Sequence, residues 1–145
     1  MQRKLGKYAV LTFVAIIAIA VIIIYRIWNK PHVDIRDADA VKTTSIALYN
    51  ILSKNGNDSA IYLNKVVEVS GVITSVSKNE QDQQIILLKT NVSGGSVNCT
   101  MEEEVNGKKP GDTIVLKGIC SGYINGDMGM GLPGDVFLIR CYRSI

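Results

Sequence analysis

The chain holds one histidine, His32, in 145 residues. It lies beside an apolar segment, so the remainder has no imidazole to act as a general base or activate a nucleophile. Cysteine is scarce as well. Cys99, Cys120 and Cys141 show no CxxC spacing, which excludes the usual dithiol and zinc-ribbon motifs. No Gly-Lys-Ser/Thr run opens a helix, so the glycines form no phosphate-binding loop. Aromatic residues make up only 6% of the chain, leaving few platforms on which bases could stack. Acidic residues are absent from the first 30 positions.

What stands there instead is an uncharged run, residues 8–25, bracketed by Lys7 and Arg26. Ile, Val and Ala dominate it, so a helix here is apolar on every face, and eighteen residues span about 27 Å, close to a bilayer's hydrocarbon core. The sequence therefore predicts an N-terminal transmembrane helix over residues 8–28. A cleaved secretory signal is the alternative. Its one small-x-small site, Ala18-Ile19-Ala20, precedes four more apolar residues, and no cysteine follows to carry a lipid. Arg3, Lys4 and Lys7 form the denser basic flank, so residues 1–7 are expected in the cytoplasm and the remainder outside it. Tyr8, Tyr25 and Trp28 fit interfacial aromatic belts.

Of the 16 basic residues, five lie within the first 30 positions, leaving eleven against all 13 acids. The remainder is thus slightly acidic, which counts against nucleic acid as a partner, because phosphate neutralisation wants a basic domain surface. About 115 residues suit one compact domain. Residues 29–40 are polar and unpatterned and read as a juxtamembrane stalk.

A helical stripe of Val41, Ile46, Leu48, Ile51 and Leu52 predicts a helix over residues 39–54, ending at Lys54-Asn55-Gly56. A short helical turn is expected over residues 58–63, capped by Asn57 or Asp58. Strands are then predicted at 66–77, 84–90, 96–101, 113–120 and 136–142. In the first, Val67, Val69 and Ile73 share one face and Glu68, Ser70, Val72, Thr74 and Val76 the other, with Gly71 marking a bulge or bend. In the third, Val97, Cys99 and Met101 face inward, and Ser96, Asn98 and Thr100 outward. Ile114, Leu116 and Cys120 are inward in the fourth, with Lys117 outward. Phe137, Ile139 and Cys141 are inward in the fifth, with Arg140 outward. Five strands at this spacing argue for a small β-barrel or sandwich.

Tyr62 with Lys65, Gly71, Gly111-Asp112, Gly118-x-Cys120-x-Gly122 and the late Cys141 together resemble the tRNA_anti-like group of bacterial OB-fold domains, over residues 47–143. The resemblance implies a mainly β fold, a five-stranded Greek-key barrel preceded by one or two helices. It implies little about activity. OB barrels bind ligands across their second and third strands and through the loops after the first and fourth, here residues 78–83 and 121–135. The second of these loops offers Tyr123, Asp127, Met128, Met130 and Asp135 as candidate ligand-binding residues; a plain flexible hairpin connection is the alternative.

Glu102-Glu103-Glu104 reads as a solvated acidic turn and no metal ligand set is visible. Cys120 and Cys141 are the first candidate disulfide pair, Cys99 and Cys141 the next, and three unpaired buried thiols are favoured over either bridge. Three Asn-x-Ser/Thr triplets are chance matches in a bacterial envelope protein. The expectation is a non-catalytic OB-fold binding or scaffolding module without cofactor, single-pass in the bacterial inner membrane, with its domain extracytoplasmic and an envelope protein as partner. A binder of single-stranded nucleic acid or oligosaccharide is the alternative.

Overall fold

The computed structural model describes residues 2–28, 34–54, 56–127 and 129–144; within the first helix side chains are described for residues 12–26. The side chains of Tyr8 and Trp28, the stalk residues 29–33 with His32, and the loop candidate Met128 lie outside the described residues. The chain forms two units, Met1–Val33 and Asp34–Ile145.

The first unit is α1, Gln2–Trp28. Phe13, Ile16, Ile19 and Ile23 are each more than half exposed. Among the described residues no helix is long and apolar enough to cross a membrane, so the transmembrane helix expected over 8–28 is not found there.

In the second unit, residues 34–40 are no free stalk. Ile35 is buried, the Lys117 ammonium donates to the Arg36 carbonyl at 2.8 Å, and the Arg36 guanidinium lies 4.6 Å over the Tyr142 ring. Val41–Thr44 is a strand, β1, and the helix α2 is only Ser45–Ser53. The expected 39–54 helix is thus shortened by the β-branched Val41, Thr43 and Thr44, which fit a parallel pairing with residues 67–70. Thr44 then caps α2 by accepting from the Ala47 N–H at 3.2 Å. The expected turn over 58–63 is a 3-10 helix, Asn57–Ile61, without a side-chain cap.

The strands are β2 Val66–Lys78, β3 Gln84–Lys89, β4 Ser96–Met101, β5 Thr113–Ile124 and β6 Asp135–Arg143. Their order is β1-β2-β3-β4-β6-β5, and pairing of β2 with β5 closes the last five into a barrel. β2 serves both sides, pairing with β5 along residues 66–72 and with β3 along 73–78. The irregularity that permits this falls between Ile73 and Ser75 rather than at Gly71. It turns Val76 back against the core, opposite to its expected face. Gly71 has another duty. A Cβ there would stand 2.7 Å from the Ser45 hydroxyl oxygen, which itself bonds the Lys89 carbonyl at 2.6 Å. The glycine lets the start of α2 approach the barrel.

α2 stands on one end of that barrel. Leu48, Tyr49 and Leu52 are buried with Val67, Val69, Ile86, Leu88, Val97, Leu116 and Leu138 in one core. The Tyr49 hydroxyl donates to the Gly134 carbonyl at 2.8 Å, and its ring meets Tyr123 edge-on with centroids 5.7 Å apart. Burial, then the Tyr123 hydroxyl, pushes the Tyr49 phenol up to about 12.

Candidate functional site

Strict alternation along β6 breaks at one place. Val136, Leu138 and Cys141 are all fully buried, with two residues rather than one separating the last two. The register with β4 slips between Cys99↔Leu138 and Met101↔Cys141, and the register with β5 slips across the same stretch. Arg140 takes up the extra residue with φ of 53°, the left-handed conformation of a bulge. Phe137 and Ile139, expected inside, therefore lie on the outer surface, with Ile139 42% exposed and Phe137 half-buried. Val97, Cys99, Met101, Ile114, Leu116, Cys120 and Cys141 do face inward, as expected.

That bulge assembles an outer face that composition alone hides. Directly paired residues share a side of the sheet, so Leu87 of β3, Asn98 of β4 and Phe137 of β6 form one row, ending on Gly122 of β5. Ile85 and Thr100 form the next, and Ile139 with Ile119 continues the apolar surface onto β5. Lys89 and Ser96 pair at the edge. The face is apolar with neutral polar groups at its middle, and Lys89 is the one cation among the paired residues named. Asn98 sits at its centre, and its side-chain oxygen is buried with no hydrogen-bond donor among the described residues. Such an acceptor is costly unless a donor reaches it.

Beside this face a groove of about 560 Å³ runs over Thr74, Leu87 and Lys89 to the turn at residues 90–96. The turn is fixed by Thr90, whose hydroxyl donates to the Gly95 carbonyl at 2.7 Å and accepts from the Val92 N–H at 3.2 Å.

The residues expected to form a site in the loop between β5 and β6 do not converge. Tyr123 belongs to β5 and packs on Tyr49. Asp135 is occupied in joining β6 to β4, accepting from the Ser96 N–H at 2.7 Å and its hydroxyl at 2.8 Å. Asp127 folds its own turn, accepting from the Gly129 N–H at 2.8 Å. Met130 alone of the described four projects freely, at 73% exposure, with Ile124 and Leu132 also exposed nearby in sequence.

The three consecutive glutamates point to three different cations. Glu102 faces Arg140 at 3.8 Å, Glu103 pairs with Arg36, and Glu104 meets Lys78 at 2.6 Å. They are a solvated ion-pair turn. Among the described residues no group of three His, Cys, Asp or Glu is placed to hold a metal ion. The cysteines are free thiols. Burial pushes the Cys120 thiol up to about 11, and the neighbouring Cys141 thiol, then burial, hold Cys99 well above the ordinary thiol value. Neither is a ready nucleophile, since the thiolate is the reactive form.

A family model described as tRNA_anti-like matches residues 1–130. Among curated proteins nothing matches. Among solved structures the chain is similar to one described as an aspartyl-tRNA synthetase from Leishmania major Friedlin, with 7% identity and a TM-score of 0.43. That similarity covers 79% of this chain and 22% of that one, so the chain spans about a fifth of that neighbour's length. At that score the likeness carries no conclusion about function.

Proposed function

The chain belongs to the tRNA_anti-like family, and from that premise we propose that it is a non-catalytic binding module that engages a protein partner across the outer face of β3, β4 and β6. One observation carries the reading. The face is an uncharged band of Ile85, Leu87, Phe137 and Ile139 around the unsatisfied Asn98 oxygen. Such an apolar surface suits a partner that covers it with aliphatic or aromatic side chains. A phosphodiester strand wants cations and stacking rings, and the rows around Asn98 offer the ring of Phe137 and, at their edge, Lys89.

The proposed setting is a membrane, with α1 as a single-pass anchor, residues 1–7 cytoplasmic and the barrel extracytoplasmic. Support comes from the uncharged run at 8–25 and its basic N-terminal flank. In a bacterial cell this is the inner membrane, and the partner is an envelope protein.

The test uses the full-length chain in detergent. Labelled single-stranded DNA and RNA, titrated at low salt, are expected to show no saturable binding. A complex co-purified from solubilised membranes is expected to survive 0.5 M salt, on the order expected for an apolar interface, and to be lost in Ile139→Glu. Oligonucleotide binding that weakens steeply with salt would overturn the reading in favour of a nucleic-acid binder.

A further inference from the structure

Two asparagine-glycine pairs of the barrel unit have both residues described, Asn106-Gly107 and Asn125-Gly126, and the fold holds them differently. The first follows Val105, whose N–H donates to the Gln84 side-chain oxygen at 2.8 Å, and precedes Lys109, whose N–H donates to the Asp112 carboxylate at 2.9 Å. Between these two pins the turn is unheld. Asn106 and Gly107 are both exposed, and neither has a hydrogen-bond partner among the described residues. A Cβ on Gly107, which has φ of 77°, would meet nothing within 4 Å. Gly126 is instead wedged against the chain returning to β6: a Cβ there would stand 2.0 Å from the Leu132 carbonyl oxygen and 2.4 Å from the Pro133 carbonyl. The Asp127 carbonyl fastens that approach by accepting from the Leu132 N–H at 2.9 Å. In a third pair, Asn55-Gly56, the asparagine lies outside the described residues.

We propose that Asn106 is a site of spontaneous modification to aspartate and isoaspartate, and that the fold protects Asn125 from the same reaction. The Gly107 backbone nitrogen attacks the Asn106 side-chain carbonyl carbon. A new N–C bond forms, the bond from that carbon to the amide nitrogen breaks, and ammonia leaves carrying the proton lost from the glycine N–H. Water then opens the succinimide ring at either carbonyl, giving an ordinary aspartate or a chain linked through the side-chain carbon. Water is the sole co-reactant. Closure requires the asparagine carbonyl carbon to swing onto the next nitrogen, and a following glycine, with no side chain, hinders this least. The turn at 106–107 has room for that swing. At Gly126 the packed backbone must first open locally, which only a small fraction of molecules does at any moment. The product changes a charged cleft of about 630 Å³, where Asn106 stands with Arg36, Arg143, Glu103, Glu104 and Tyr142. Two arginines there balance two glutamates until the new carboxylate makes the lining acidic. The modification stands independently of the proposed binding face.

The test incubates the folded full-length chain in detergent at mildly alkaline pH and follows both asparagines over time by peptide mass mapping. Both precede glycine, so the unfolded chain modifies them at similar rates and the fold sets the difference. In the folded chain Asn106 is expected to convert at least about tenfold faster than Asn125, and in urea the ratio is expected to fall to about one. Each product is heavier by the exchange of NH for O. Asn106→Gln, whose longer side chain closes a ring far more slowly, is expected to remove the fast site and leave the urea midpoint unchanged. Equal rates in the folded chain, or faster conversion at Asn125, would overturn the proposal. So would an Asn106 that stays intact in the folded chain while the sample in urea converts.

Discussion

Truncating neighbouring residues of β6 separates the bulged strand from a regular one. Leu138 has no exposed surface and sits in the closed core. Leu138→Ala removes about three methylene-sized groups and leaves a cavity among neighbours that relax only partly, which costs about 2–5 kcal/mol. Ile139 is 42% exposed. Full burial of such a side chain contributes about 1.5–3 kcal/mol, so Ile139→Ala loses about 1 kcal/mol or less, with no enclosed cavity to add to it. The difference should exceed about 1 kcal/mol, a clear shift in urea midpoint at constant slope. Unfolding of the full-length chain in detergent, followed by the near-ultraviolet signal of its tyrosines, reads both variants. If Ile139→Ala costs as much as Leu138→Ala, β6 alternates without a bulge. Phe137 and Ile139 then return to the core and the binding face disappears with them.

Gly71→Ala should destabilise the barrel by about 1–3 kcal/mol, because the new methyl meets the Ser45 oxygen at 2.7 Å and Leu88 Cβ at 3.2 Å; the thermal midpoint checks this, and an unchanged value would deny the close approach of α2. Alkaline pH should weaken the fold. Cys120, Cys99 and Tyr49 all have raised folded-state pKa values, so their contribution is complete below the ordinary thiol value of about 8.5 and is lost as pH rises through the folded values. Urea midpoints at pH 7.5 and 10 measure the fall, and Cys120→Ala should reduce it. At the acid end, the Ser144 hydroxyl at 2.8 Å, followed by Lys42, holds Glu68 below its ordinary value. The stability from this bond is present above the ordinary glutamate pKa and disappears as pH falls through the lowered one. Ser144→Ala should move the Glu68 titration upward by carboxyl NMR, and an unmoved curve would show that the hydroxyl is not its main partner.

The strands were legible because period-two alternation is strong where both neighbours are regular, as in Val97-x-Cys99-x-Met101 and Ile114-x-Leu116. In β6 the expected inward facing fails at Phe137 and Ile139 but holds at Cys141, because the bulge rests on Arg140 at φ 53°, and nothing in an arginine announces a left-handed residue. β1 was absorbed into a helix because four strand residues run straight into the Thr44 cap. The glycine-rich loop carries acids that suit a ligand site as well as they suit a turn. Asp127 and Asp135 are held by backbone N–H groups, a use of side chains that sequence does not distinguish from ligand binding. The apolar band was invisible for a related reason: it gathers Leu87, Asn98 and Phe137 from three strands, and its existence depends on the one bulge.

The most direct measurement places a photo-reactive amino acid at Ile139 of the full-length chain in living cells, with Leu87 as a second position on the band and Thr113 as a control away from it. Illumination should give one discrete protein adduct of the same mass from positions 139 and 87 and none from 113. An adduct removed by nuclease, or equal labelling from all three positions, would contradict a protein-binding face on this barrel.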